Sequence, residues 1–469
     1  MNAYVEVPVW ALLILICASG YAVIASFLLP GVRWVVRRRL NRTIATLNTR
    51  LQIQIRPFQR TKRQVLIDRL AYDSQVIDQI ESIANSRAVS RESIQARVYN
   101  YAKEIAPAFN AYVYFRIGYW IAKRVSRFLY RVRVSAADQD KLIDVDPDAT
   151  VVFVMNHRSN IDYLLVSYLV ADQVTLSYAV GEWARIFPLQ PLLKAMGAFF
   201  VRRKSDDALY RKVLERYVYM ATQEGVSQAV YLEGGLSRDG SMGTPKLGFL
   251  DYMLRHFNDT EGQDIVFVPI AINYDHVLED LNLLATTVGD RQGGWFHTTN
   301  FLRFLRDNLF IGVRRRWRKF GYASVNFGIP VSARDYCRHN GVHFNRLAKA
   351  DRFVQVQKLA DELMGAIRHV MPILPIPLIC TVLLESRSES LKSLDILSRV
   401  DRLIDQLISR GAAMKVSEKP RNRTLMESLE LLKVRGILQE NNDSYEVNPL
   451  SLNLLEYYAN SIAHFARAE

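Results

Sequence analysis

Val151-Val152-Phe153-Val154-Met155-Asn156-His157-Arg158-Ser159-Asn160-Ile161-Asp162 joins an apolar, β-branched run to a polar turn, and Tyr163-Leu164-Leu165-Val166 continues from it as an apolar helical stretch. The pattern reads as strand, turn and helix. In open α/β sheets ligands sit at the carboxyl ends of the strands, so this junction places a His and an Asp where chemistry is done. Asp162 would fix the tautomer of the His157 ring, leaving its other nitrogen to remove a proton. The chemistry suggested is activation of a hydroxyl nucleophile.

Outward from this junction, residues 229–232, 265–272 and 323–327 read as further strands, and 206–223 and 246–257 as helices. The alternation predicts a sheet with helices on its faces. A chain of 469 residues with 49% apolar and 23% charged residues has ample material for a core and is not disordered. Its net charge of +14 calls for anionic partners: nucleic acid, anionic lipid or a phosphorylated substrate. Cys17, Cys337 and Cys380 are the three cysteines, and none forms a C-x-x-C pair, which argues against a disulfide framework or a Cys-based zinc site and for a reducing cytoplasmic body.

Residues 7–29 contain no Asp, Glu, Lys or Arg. As a helix rising about 1.5 Å per residue they would cross a hydrocarbon core of about 30 Å. Arg33, Arg37, Arg38 and Arg39 follow directly, which predicts an uncleaved anchor with its C-terminal side in the cytoplasm. Every charged residue from 31 to 67 is basic, a composition suited to anionic headgroups. Residues 109–134 read as one amphipathic helix in which Arg116, Lys123, Arg127 and Arg131 alternate with aromatics, suited to a membrane interface or to packing on the catalytic domain. A second basic-aromatic stretch spans 301–319 and admits the same two readings. The proline-punctuated run Met371-Pro372-Ile373-Leu374-Pro375-Ile376-Pro377 suggests a new domain nearby, and 435–447 has the helix-then-hairpin form of a winged helix, with charge too mixed to indicate DNA binding.

Four blocks occur in order. His157-Arg158-Ser159 with Asp162-Tyr163 is the first, Gly197-Ala198-Phe199-Phe200-Val201-Arg202-Arg203 the second, Glu233-Gly234-Gly235-Leu236-Ser237-Arg238-Asp239-Gly240 the third, and Val268-Pro269-Ile270 the fourth. Together they resemble the glycerol-phosphate acyltransferases of the lysophospholipid acyltransferase superfamily, and the similarity continues through Val325-Asn326-Phe327-Gly328 and Tyr457-Tyr458-Ala459-Asn460-Ser461-Ile462. Leu236 departs from the family's usual Glu-Gly-Gly-Arg-Ser-Arg, standing where the first arginine would be.

The resemblance implies a mixed α/β sheet flanked by helices and transfer of a long acyl chain from acyl-CoA or acyl carrier protein to glycerol 3-phosphate. Lysophosphatidic acid and dihydroxyacetone phosphate are the alternative acceptors. It implies no cofactor or metal and no nucleic acid, but a chain seated on anionic membrane lipid, the inner membrane if the source is bacterial. The expected organisation is a membrane anchor at 1–32, a basic helical region at 33–135, an α/β acyltransferase domain at 136–336 and a helical C-terminal domain at 337–469.

His157 is then the general base and Asp162 its orienting partner, with oxyanion donors expected from backbone N–H groups of the turn after His157. Arg158 and Ser159 belong to the substrate-binding set. Arg202, Arg203 and Arg238 would hold the acceptor phosphate, and Glu233, Gly234 and Gly235 would form a tight turn allowing close approach to a ligand. Lys246, after Pro245 at the expected helix start, is placed to aim its ammonium at the same phosphate. Two other classes compete: a serine hydrolase, since Gly235-Leu236-Ser237-Arg238-Asp239 nearly makes a nucleophile elbow but ends in Asp where Gly is required, and a non-enzymatic membrane scaffold or nucleic-acid tether.

Overall fold

The computed structural model describes residues 8, 19, 55–87, 89–134, 145–171, 173–202, 205–287, 320–412 and 421–466. The expected span at 7–29, apart from Pro8 and Ser19, lies outside them, as do the basic residues 31–54, Arg203 and the stretch 301–319. No helix among the described residues is long and apolar enough to cross a membrane. Ile55–Glu469 forms one compact unit.

Its centre is a mixed sheet of β1 (Arg131–Val134), β2 (Thr150–Met155), β3 (Ser177–Val180), β4 (Ala198–Phe200), β5 (Gln228–Tyr231), β6 (Ile265–Tyr274), β7 (Tyr322–Phe327) and β8 (Val331–Ser332). The spatial order is β1-β7-β6-β2-β5-β3-β4, with β8 paired to β6. From β6 through β4 the strands are parallel; β7 runs back against β6 and carries β1 parallel to itself. Every residue of β2 and β6 is buried, as strands covered by helices on both faces must be. That is why both read as continuous apolar runs rather than as alternating ones.

Helices α1 (Arg63–Ala71), α2 (Ser74–Arg87), α3 (Arg91–Ile105) and α4 (Tyr119–Leu129) precede β1. Between strands lie α5 (Asp162–Val170), α6 (Leu189–Ala195), α7 (Ala208–Gln223), α8 (Gly248–Leu254) and α9 (Asp280–Thr287), and after β8 come α10 (Ala333–Asn340) and α11 (Lys349–His369). The helix expected from 206 begins at Ala208 because Asp207 caps it, its carboxylate accepting from the N–H groups of Leu209 and Tyr210. The helix expected at 246–257 is shorter, so Lys246 stands before it rather than at its first turn.

The reading of 109–134 as one helix is corrected. A π-helical turn at Val113–Gly118 leads into α4, which stops at Leu129, and Arg131-Val132-Arg133-Val134 is strand β1, in register with Tyr322–Val325 of β7. The valine alternation wins once β7 offers an open edge. Parts of the basic run are also committed internally: Arg56 donates to the Pro147 carbonyl at 2.7 Å, and Arg63 to the carbonyls of Lys103 and Ala106.

The C-terminal portion comprises α12 (Pro375–Glu385), β9 (Leu391–Lys392), α13 (Ser393–Ser409), α14 (Arg421–Val434), the hairpin β10 (Leu438–Asn441) and β11 (Ser444–Val447), and α15 (Leu452–Asn460). From α12 to β11 this is the element order of a winged helix, and β9 pairs with β11 to complete its small sheet. Asn442 and Asp443 close the hairpin with φ of 49° and 60°, the left-handed turn that short-side-chain residues tolerate. The segment is stitched to the end of β6: the Asn273 amide donates to the Pro372 carbonyl, Asp275 accepts from the Ile376 N–H, and Glu427 of α14 pairs with Arg131 of β1.

Candidate active site

Strand register brings the first and third blocks together. Met155 of β2 lies beside Tyr231 of β5, so His157 and Glu233, each two residues further on, emerge at neighbouring strand ends. Glu233 accepts the His157 N–H at 3.0 Å and the Gly243 N–H at 2.7 Å, and the Ser237 N–H donates to the His157 carbonyl at 2.9 Å. Burial pushes the Glu233 carboxyl above its ordinary range, with those two N–H donors pulling the other way. On the opposite flank the Asn156 side chain exchanges two hydrogen bonds with the backbone of Ile272 in β6. The His157 loop therefore leaves a strand end fixed on both sides.

His157 Nδ1 lies 2.9 Å from Asp162 Oδ2, and the imidazole stacks on the Tyr231 ring at 3.8 Å and 14°. Asp162 is wholly buried and fully used: Oδ2 also accepts from the N–H groups of Arg158 at 2.7 Å and Ser159 at 3.0 Å, and Oδ1 accepts the Tyr274 hydroxyl at 2.7 Å. Surrounded by donors, the carboxylate accepts the hydrogen bond from Nδ1–H, which fixes the tautomer and leaves Nε2 with its lone pair. Nε2 makes no hydrogen bond among the described residues.

The oxyanion donors expected in this turn are not available. The N–H groups of Arg158 and Ser159 are held by Asp162, and that of Asn160 by Glu279 at 3.2 Å. Two carboxylates have captured the donors at the start of α5. The N–H groups of Gly235 and Leu236 in the neighbouring turn make no hydrogen bond among the described residues.

Arg158 turns inward, 2% exposed, donating to the Gly240 carbonyl and to Asn273 Oδ1, with the Tyr457 ring 5.4 Å from its guanidinium carbon. Its place is between the third block and the C-terminal helix. Ser159, also buried, donates to Glu279. Gly240 has φ of +85°, and a Cβ there would stand 1.7 Å from the Tyr457 carbonyl oxygen. Gly240→Ala is expected to cost about 3 kcal/mol or more by forcing backbone apart, read as a lowered urea midpoint. An unchanged midpoint would mean that loop and helix separate freely.

Of the expected phosphate set, Arg202 is committed to another side chain and Arg203 lies outside the described residues. Arg202 donates through Nε and Nη2 to the two oxygens of Glu104, at 2.9 and 2.7 Å, flanked by the rings of Tyr101 and Tyr210, and Arg185 pairs with the same carboxylate. Burial raises the Glu104 carboxyl, but the hydrogen bond from Arg202 and the charge of Arg185 bring it below its ordinary range. Arg238 and Lys246 are exposed. Gly234, at φ of +67°, has room only for hydrogen because a Cβ would meet Lys246 Cγ at 2.9 Å, so the lysine stem lies over this turn; Gly235 faces open space. Ser237 is unsuited to a nucleophile's role, its hydroxyl donating to the Ser241 carbonyl at 2.6 Å.

The region holding this pair matches the acyltransferase family over residues 133–273, and residues 308–468 match the glycerol-3-phosphate acyltransferase C-terminal region. Glycerol-3-phosphate acyltransferases from Aeromonas hydrophila subsp. hydrophila and Actinobacillus succinogenes are each 27% identical, over 92% and 86% of this chain. The chain is homologous to the glycerol-3-phosphate acyltransferases. It spans about half the length of these curated relatives, covering 54% and 49% of them. Among solved structures, the 1-acyl-sn-glycerophosphate acyltransferase of Thermotoga maritima aligns with 14% identity and a TM-score of 0.31, over 65% of this chain and 95% of that one. In this acyltransferase homologue, Tyr231, Tyr274, Glu279 and Tyr457 escaped the sequence reading. Only Tyr457 carried a usable signal, as part of a C-terminal block that otherwise had no role.

Proposed function

We propose that this chain transfers a long-chain acyl group from an acyl thioester, acyl-CoA or acyl carrier protein, to a hydroxyl of glycerol 3-phosphate, forming lysophosphatidic acid for phospholipid synthesis. The observation that carries the reading is His157, its Nδ1 committed to a buried Asp162 and its Nε2, at the carboxyl end of β2, without a partner among the described residues. Nε2 takes the hydroxyl proton as the oxygen attacks the thioester carbonyl; the C–S bond then breaks and the departing sulfur receives that proton from the imidazolium. Asp162 stabilises the imidazolium between the two steps. With the turn after His157 already committed, the N–H groups of Gly235 and Leu236 are the candidates for the oxyanion.

For the acceptor phosphate, Arg238 in the third block and Lys246 shortly after it are exposed cations, and Arg202 contributes only by exchanging Glu104 for phosphate. Arg203 completes the set. Lys246→Ala is expected to raise the acceptor KM about ten- to a hundredfold with little change in the donor KM, as loss of a hydrogen bond to a charged group predicts. Leu236→Arg should partly restore it. A selective rise in the donor KM would place Lys246 beside the thioester carrier instead.

Membrane attachment fits the face of α4 and the turn before it, where Ile117 and Trp120 (59% exposed) stand out beside Arg116 and Arg124. Anionic lipid on the cytoplasmic side is the proposed partner, joined by the expected span at 7–29. The function is tested by giving a membrane fraction containing the chain both donors with glycerol 3-phosphate, dihydroxyacetone phosphate and lysophosphatidic acid. Glycerol 3-phosphate should be the preferred acceptor. Thioester hydrolysis without acylation of any acceptor would sink the proposal.

A further inference from the structure

The His157 loop is gripped by two carboxylates beyond its own Asp162. Glu233 holds its first residue, and Glu279, on the segment between β6 and α9, holds its middle: Oε2 accepts the Ser159 hydroxyl at 2.7 Å and Oε1 the Asn160 N–H at 3.2 Å. Ser159 also gives its N–H to Asp162, so the same residue links Glu279 to the carboxylate that orients His157.

The next residue, Asp280, is buried and belongs to a different network. It receives the Tyr458 hydroxyl of α15 and the guanidinium of Arg435, which follows α14. Arg435 in turn donates to the Tyr458 oxygen, as does the Val277 N–H, both at 3.1 Å. A chain of contacts thus runs from Tyr458, in the C-terminal block that the proposed chemistry does not use, through Asp280 and Glu279 to the catalytic turn. A buried ion pair of this kind supplies little net stability but fixes geometry, since breaking it strands a buried charge.

We infer that Glu279 is a positioning residue for the His157–Asp162 pair and that Tyr458 and Arg435 set its place through Asp280. The inference rests on the acyl-transfer reading for its kinetic test alone. The setting of the half-buried Glu279 carboxyl agrees with it: desolvation pushes it up to about 7, the Ser159 hydroxyl pulling down and the Asp162 charge pushing up. Tyr130, before β1, and Tyr457, on α15, are its other titratable neighbours. Ionising such a carboxyl costs stability, and its pKa above the unfolded value means that the loss grows as pH rises toward 7.

The test compares wild type with Glu279→Gln, Tyr458→Phe and the double variant in the full chain. Glu279→Gln should lower kcat about tenfold or more, because displacement of a catalytic group by a fraction of an ångström suffices, with both KM values kept. Its melting temperature at pH 8 should be no lower than wild type. Tyr458→Phe should lower kcat less, and the double variant should lose no more than Glu279→Gln alone, since the tyrosine acts through the glutamate. Independently of turnover, ¹⁵N-histidine NMR should show the hydrogen-bonded Nδ1 proton of His157, assigned by its absence in His157→Ala, shifted in Glu279→Gln. Additive kinetic losses, a kcat that falls only in step with the folded fraction, or an unmoved His157 signal would overturn the inference. A wild type that acylates nothing but whose His157 signal moves as expected would overturn the acyl-transfer reading and leave the positioning role standing.

Discussion

His157→Ala is expected to abolish acyl transfer, by about 10²- to 10⁴-fold in kcat, while the protein remains folded. The energetic case for folding is specific. Asp162 loses one of four donors and keeps the N–H groups of Arg158 and Ser159 and the Tyr274 hydroxyl, so no buried charge is stranded. Tyr231 loses a stacking partner, and the loop keeps its ties through the backbone N–H and carbonyl of residue 157, which the substitution does not remove. Turnover in a membrane fraction and thermal unfolding of the purified variant, measured side by side, separate the two effects. Near wild-type turnover would remove His157 from the chemistry.

Asp162→Ala has the opposite signature: a large loss of stability along with activity. Removing the carboxylate leaves two buried backbone N–H groups and a buried tyrosine hydroxyl without a partner, at about 1–3 kcal/mol each. Against a total stability of about 5–15 kcal/mol, that approaches loss of the fold. Asp162→Asn should be far milder. Its amide oxygen can serve the three donors at Oδ2, and its NH₂ can donate to the Tyr274 hydroxyl, which accepts as well as donates. The variant should fold yet turn over slowly, because the charge that stabilises the imidazolium is gone. Equal urea midpoints for Asp162→Ala and wild type would show that the network is not what holds the loop.

The strands around the His157 turn were legible because strands buried on both faces must be apolar throughout. Those read at 151–155, 265–272 and 323–327 lie within β2, β6 and β7, while the one read at 229–232 matches β5 shifted by one residue. The failures were at edges. Arg131–Val134 carries a strand's alternation, but the helix before it supplied cations at compatible spacing, and only the free edge of β7 decides between them. The helix and hairpin of the tail could be read locally, whereas β9, the third strand of its sheet, lies about fifty residues upstream and contributes two residues.

The sequence by itself determined the His157–Asp162 pair and the strand that presents it, because both residues lie within one turn and the apolar run before them has no other stable use. It also ordered the four blocks and their acyltransferase resemblance. Tertiary structure alone decided which charges are free. Arg202 is bound by Glu104 almost a hundred positions away, Arg158 is buried beneath Tyr457, and the backbone donors of the His157 turn are occupied by Asp162 and by Glu279 from the segment after β6. A side chain's charge can be read from its letter, but whether that charge faces substrate or another residue depends on which strands lie side by side, and that is settled by packing over distances that no local pattern records.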